Sequence, residues 1–197
     1  LIDLALYYFL RCMELKWLLV IILKAEALSV LGFYESSNDV SLDITYEIPW
    51  QSQRILSVQY AGVGNAKGAA YPLNLFYTVN INIDKGTKLK LKDFVKIDNN
   101  LVDIFMNFKV QDPETNQASA SAFDYILNTY TAEDLIRYFE GADSSYQNSA
   151  FTFSYLTEDA IGISIEVPHA VGEHMEIELM YQDIKSNIKT ENEIWKD

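Results

Sequence analysis

The residues best suited to chemistry fall in one short stretch, His169-Ala170-Val171-Gly172-Glu173-His174, which holds both histidines of the chain. Imidazoles beside a carboxylate could bind a metal ion or move a proton. A zinc-protease arrangement needs its two histidines on one face of a helix. Here Pro168 precedes the stretch and an alternating strand pattern follows it, so a shared helical face is not expected. A third ligand would have to come from distant carboxylates. The histidines are therefore read as surface residues of a turn, and no metal or cofactor site is expected. Glu158 and Asp159 are adjacent carboxylates in a strand–turn–strand context, where they solvate a hairpin. Asp93 follows Lys92 near a helix start and suits a cap. No serine is tied to either histidine by a motif, so the base and orienting group that a nucleophile requires are not indicated. Gly62-Val63-Gly64 lacks the remaining glycines and the Lys-Ser/Thr of a phosphate loop. Cys12 is the single cysteine and forms neither an internal disulfide nor a cysteine-rich zinc site. The reading is of a protein that is not an enzyme.

Composition narrows the partners. The 197 residues carry 15 basic and 28 acidic side chains, a net charge of −13. Such a chain is poorly suited to holding phosphate backbones, so nucleic-acid binding is disfavoured. The acids are unevenly placed. From Glu140 to Asp197 they far outnumber Lys185, Lys189 and Lys196, whereas residues 81–110 are slightly basic. Net charge speaks first to solubility. The functional reading is that the last strands meet a cationic partner through Glu173, Glu176 and Glu178. Among the aromatic residues, Tyr71, Tyr130 and Tyr146 lie in or near expected loops and are candidates for exposed contacts.

The elements that must position these residues follow from periodicity. Val40, Leu42, Ile44, Tyr46 and Ile48 alternate with polar residues, and Pro49 ends that run. Ile55–Tyr60 reads as a second strand, followed by a flexible connection through Gly62, Gly64 and Gly68. Leu73 to Ile83 reads as a long third strand whose second face is polar except for Phe76. Helical spacing then appears at Leu101, Val102, Phe105 and Phe108, with Asp98 or Asn99 as the cap. A polar loop around Pro113 follows, then short helices about Phe123–Leu127 and, from Thr131 and Asp134, up to Gly141. Phe151–Tyr155, Ile161–Val167 and Met175–Leu179 read as three closing strands. The expected fold class is α+β, one antiparallel sheet of about five to six strands with helices inserted between the N-terminal and C-terminal strands. One face of that sheet is expected to be solvated or only partly covered.

The ends differ from this body. Residues 1–34 alternate short apolar runs with charges and hold no uninterrupted apolar run of about 20 residues. Lys16, Trp17–Leu23 and Ala25-Glu26-Ala27 sketch a minimal export signal when read from Met13. A first helix, buried or amphipathic, explains the same residues, and both readings stand open at this point. The domain assignment is residues 1–34 as an export or membrane-proximal segment dispensable for folding, 35–188 as the α+β domain, and 189–197 as a polar tail that frays.

The order of segments resembles a known family. Asp43-Ile-Thr-Tyr-Glu47, Ile55-Leu-Ser-Val58, Lys67-Gly-Ala-Ala-Tyr-Pro72, Val79-Asn-Ile-Asn-Ile-Asp-Lys-Gly86 and Leu89-Lys-Leu-Lys-Asp-Phe94 form a first block. Phe153-Ser-Tyr-Leu-Thr-Glu-Asp-Ala-Ile161 and Val167-Pro-His-Ala-Val-Gly172 form a second. Together, over about residues 40–185, they resemble the RsiV-like extracytoplasmic domain family. That domain is the outer part of the anti-sigma-V factor and also accompanies peptidoglycan deacetylases. The chain departs from the family pattern at Ala70, where a histidine is usual, at His169, where a tyrosine is usual, and at Met180, where a proline is usual. The resemblance implies an extracytoplasmic, noncatalytic recognition or sensor domain of a Gram-positive envelope protein. Its implied partner is a lysozyme-like basic protein or peptidoglycan, and its alternative role is as an accessory module of a polysaccharide deacetylase. Gly68, Tyr71, Pro72 and His169 are the ligand-binding candidates that it adds to Glu173, Glu176 and Glu178.

Overall fold

A computed structural model describes residues 4–34, 39–109, 117–144 and 151–195, with side chains of the first helix described from Leu15 on. The Pro113 loop, Tyr146 and the side chain of Cys12 lie outside the described residues. Helix α1 (Leu4–Ser29) leads into four strands, β1 (Val40–Gln51), β2 (Ile55–Ala66), β3 (Leu73–Asn82) and β4 (Thr87–Leu89). Helices α2 (Leu91–Phe94), α3 (Asn99–Met106), α4 (Gln117–Thr129) and α5 (Ala132–Gly141) follow. Strands β5 (Phe153–Leu156), β6 (Ala160–Glu166) and β7 (His174–Met180) close the domain. All strand pairs are antiparallel, and the helices between the two strand groups make the class α+β.

The expected single sheet is instead two, ordered β1-β2-β3-β4 and β5-β6-β7. The reason lies at the outer edge of β5. Its backbone groups are taken by side chains rather than by another strand. The Ser154 carbonyl accepts from Asn80 Nδ2 at 2.9 Å and from the Thr78 hydroxyl, and Leu156 N donates to Ser57 Oγ at 3.0 Å. Those donors and acceptors are the polar residues that alternate along β2 and β3. The polar face of β3 is therefore covered from Thr78 onward, with Thr78, Asn80 and Asn82 buried, while Asn74 at its start stays exposed. Buried polar groups need partners: the β5 edge pairs Ser57, Thr78 and the Asn80 amide nitrogen, and Asn82 Oδ1 accepts from Lys85 N at 2.9 Å.

Two apolar clusters result. One joins Leu101, Val102, Phe105, Ile126, Leu135 and Phe139 of the helices to Ile161, Ile163 and Ile177 of the second sheet. The other joins the apolar face of β2 and β3, including Val58, Tyr77 and Val79, to Val30 and Tyr34 beyond α1. Caps fix the helix ends where the sequence placed them. Asp98 Oδ1 accepts from Leu101 N, and Thr131 and Asp134 bond reciprocally at the start of α5. Asp93 accepts from Lys90 N at 2.8 Å at the start of α2.

Four further expectations need correction. Pro49 does not end β1; the strand runs on to Gln51 through a register shift between Glu47 and Trp50, a setting that tolerates proline. Gly62 and Gly64 belong to β2 and not to a flexible connection. A Cβ at Gly62 would lie 2.0 Å from the Asp43 carbonyl oxygen, so close backbone approach explains that glycine. The C-terminal segment does not fray over its described length. Lys189 N donates to the Phe94 carbonyl at 2.9 Å, Ile194 is buried, and the Trp195 ring meets Phe94 edge-on.

The fourth concerns α1. Leu15–Tyr34 is long and apolar enough, by length and composition, to cross a membrane, which the interrupted runs concealed. Its inner face packs on the first sheet through Leu19, Ile22, Leu23 and Ala27. Its outer face exposes Trp17 and Ile21.

Gly162 of β6 offers a direct check of the packing across the β5–β6 pair, where it lies opposite Tyr155. A Cβ there would lie 2.1 Å from the ring of Tyr155, which is itself buried on the facing strand. Gly162→Ala is expected to lower stability by about 2 kcal/mol, the range for overpacking a filled interior. Urea unfolding measures it, and an unchanged midpoint would mean the ring moves aside without cost.

Candidate functional site

The turn between β6 and β7 brings the histidine stretch into a defined geometry. Pro168 starts a single 3-10 turn, His169–Val171, which is not an α-helix. Gly172 follows with φ of +120°, and Glu173 with φ of +75°. A non-glycine residue in the left-handed region costs of order 1 kcal/mol and is held there by its surroundings. Here the holding contacts are clear. Val167 N donates to the Glu173 carbonyl at 2.9 Å, and the Glu173 carboxylate accepts from Asn74 N of β3. Its other oxygen meets His169 Nδ1 at 2.8 Å. Glu173, at the end of the turn between β6 and β7, thus fastens that turn to the first sheet.

Tyr71, on the connection between β2 and β3, stacks on the His169 ring with centroids 3.7 Å apart and planes 9° from parallel. His174, the first residue of β7, stacks on Phe76 at 5.2 Å, and its Nδ1 bonds Glu176. Both imidazoles are therefore held by a carboxylate at Nδ1 and a ring at one face. They line one cleft of about 260 Å³ with Phe33, Phe76, Phe151 and Glu166. Glu166 is the cross-strand neighbour of His174; the residue as a whole is exposed, and partial desolvation raises its carboxyl above the ordinary value.

Of the sequence candidates, Tyr71, His169 and Glu173 meet in this cleft. Gly68 and Pro72 do not line it; they shape the turn that presents Tyr71, Gly68 through a φ of +89°. Glu176 and Glu178 share one face of β7 as expected, but they line a second cleft, of about 830 Å³, with Asp103, Asp183 and Lys109. Tyr155 donates to Glu178 Oε1 there at 3.3 Å. The expected single patch of three glutamates is thus divided, because the left-handed backbone at Glu173 turns its side chain towards Asn74 and His169. The sequence reading did not place Phe33, Phe76, Phe151, Glu166 or His174 in a site. Phe76 carried a signal, as the one aromatic residue on the polar face of β3.

Chemically, the Glu173–His169 pair resembles the orienting half of a catalytic triad. No Ser, Thr or Cys is among the described residues lining this cleft. Among the described residues no group of three or more His, Cys, Asp or Glu side chains is placed to hold a metal ion. The arrangement can bind by stacking, hydrogen bonding and charge.

No family model matches the chain. No curated protein matches it either. Among solved structures, the chain is similar to a DUF3298 family protein from Pseudomonas aeruginosa PAO1, at 13% identity and a TM-score of 0.42 over 80% of this chain. It is also similar to a member of the DUF3298 family from Bacteroides fragilis NCTC 9343, at 18% identity and a TM-score of 0.49 over 86% of this chain. The chain spans 66% of the length of each of these two proteins.

Proposed function

We propose that this chain is an RsiV-like, noncatalytic recognition domain of a bacterial envelope protein, acting outside the cytoplasm on a basic protein of the lysozyme type or on cell-wall material. The observation that supports the reading most is the convergence of Tyr71, His169 and Glu173 on one cleft without a nucleophile among its described lining. Tyr71 lies about a hundred residues from the His169–Glu173 stretch, so two separate segments supply the cleft. Connections that present aromatic and charged side chains from a rigid scaffold are the usual place for recognition. The acidic second cleft supports a cationic partner, with Lys109 the one basic residue beside Asp103, Glu176, Glu178 and Asp183 among its described lining. The apolar outer face of α1 supports attachment to a membrane through the N-terminal segment.

The test is association of a basic wall-lytic protein with the full chain and with its Glu176→Gln/Glu178→Gln variant. At low salt the variant is expected to associate about threefold more slowly, and moderate salt is expected to remove the difference. Glu173 is left intact because its carboxylate holds the turn. Equal rates at low salt would count against a cationic partner. Retention on insoluble peptidoglycan without binding of the basic protein would favour the alternative role, an accessory module of a peptidoglycan deacetylase.

A further inference from the structure

The aromatic cleft holds two carboxylates in different conditions. Glu173 is committed to His169 and to Asn74 N. Glu166 lines the cleft from the end of β6, exposed to solvent as a residue, and has no hydrogen bond or ion pair to its carboxylate among the described residues. No Lys or Arg is among the described residues that line the cleft. Nearby, the Tyr34 hydroxyl is buried without a partner among the described residues, and it experiences the charge of Glu173. The walls are ring faces: Phe33 and Tyr71 are 44% and 46% exposed, and Phe76 stacks on His174. The volume of about 260 Å³ lies just below the usual range for small-molecule pockets and suits one extended side chain.

We infer that this cleft receives one cationic side chain, an arginine or lysine of a partner protein, with its charge on Glu166 and its stem or guanidinium plane against Tyr71 and Phe33. The inference rests on the recognition reading above and narrows it to a chemical group. A neutral hydroxylated ligand would satisfy the hydrogen bonds but leave the Glu166 charge uncompensated. A cation compensates that charge and is also attracted by the faces of the rings. The stem of either side chain covers apolar surface while its head reaches the carboxylate.

The experiment is an NMR titration of the full chain with Nα-acetyl-arginine amide and Nα-acetyl-lysine amide, against the neutral citrulline and norleucine amides, glucosamine and N-acetylglucosamine. The arginine and lysine amides are expected to give saturable shifts at Tyr71 and His169, with the two neutral amides at least tenfold weaker. Glu166→Gln is expected to weaken the arginine amide about tenfold, as expected for loss of a charge-assisted bond. Glu158→Gln, exposed on the turn between β5 and β6 and outside both clefts, is expected to leave it unchanged. Equal binding of citrulline, an unaffected Glu166→Gln variant, or preference for either sugar would overturn the inference. If the basic protein binds while the arginine and lysine amides do not, the cation receptor fails and the recognition reading stands. If the amides bind while neither the basic protein nor wall material does, the recognition reading fails and the cation receptor stands.

Discussion

A chain beginning at Asp39 is expected to lose about 5 kcal/mol or more, enough to abolish cooperative unfolding. The argument starts from the apolar face of the first sheet. Val58, Tyr60, Leu75, Tyr77 and Val79 face Leu19, Ile22, Leu23, Ala27, Val30 and Tyr34. Val30 and Tyr77 are 0% exposed. Each large apolar side chain returned to water costs roughly 1.5–3 kcal/mol, and this face carries several. Polar contacts fix the helix in register over it. Tyr60 Oη donates to the Leu23 carbonyl at 3.0 Å and Tyr77 Oη to the Ala27 carbonyl at 2.8 Å, while Glu26 pairs with Lys88 of β4. Burial pushes the Tyr60 hydroxyl up to about 12. The packing thus gives the opposite expectation from the broken apolar runs of residues 1–34, which read as a dispensable segment. Urea unfolding of the full and shortened chains, together with binding of a hydrophobic dye, decides between them. A shortened chain with an unchanged midpoint and no dye binding would show that the helix is only an appendage.

The legible parts of the fold are those decided locally. Periodicity located each long strand at least in part, with β2 cut short at Tyr60, and the cap residues Asp98 and Thr131 announced their helices. Strand β4 was missed, and of helix α2 only the cap residue Asp93 was read. Each is short, and β4 is defined by pairing with Asn80–Asn82 and not by its own residues. The division into two sheets was hidden for a different reason. Ser57, Thr78 and Asn80 have the composition of a wet strand face, and only the tertiary arrangement shows that the β5 edge takes their hydrogen bonds. In the candidate site, the residues on turns were legible through motif and charge. Glu166 was not, since on a strand a glutamate looks the same whether it faces water or a cleft, and Phe76 showed only as the odd aromatic residue on a polar face. Segment 189–195 misled because it is mostly polar, yet Ile194 and Trp195 dock it.

The second large effect is expected at Asp143, whose carboxylate joins the two halves of the fold. Its Oδ2 accepts from Leu91 N and from the Ser154 hydroxyl, both at 2.7 Å, and its Oδ1 accepts from Ser154 N at 2.7 Å. One side chain therefore caps α2 and begins β5. The residue adopts φ of +59°, and its own N–H donates to the Thr152 carbonyl at 3.0 Å. Asp143→Ala removes three hydrogen bonds at once and places alanine in the left-handed region, so a loss of about 3–5 kcal/mol is expected. The residue as a whole keeps partial exposure, but its carboxylate is buried, and burial pushes the carboxyl up to about 6 against the pull of its three donors. With the folded value above the unfolded one, the stabilising contribution is full below about pH 4 and is lost as the pH rises through 6. At pH 7 that loss is on the order of 3 kcal/mol. Asparagine tolerates the same backbone conformation but carries no titrating proton. The stability of the wild type relative to Asp143→Asn is therefore expected to be greatest near pH 4 and to shrink towards pH 7. Chemical denaturation of both proteins across that interval measures it. A difference that stays flat, or grows with pH, would mean that the three donors outweigh burial and hold the carboxylate ionised throughout.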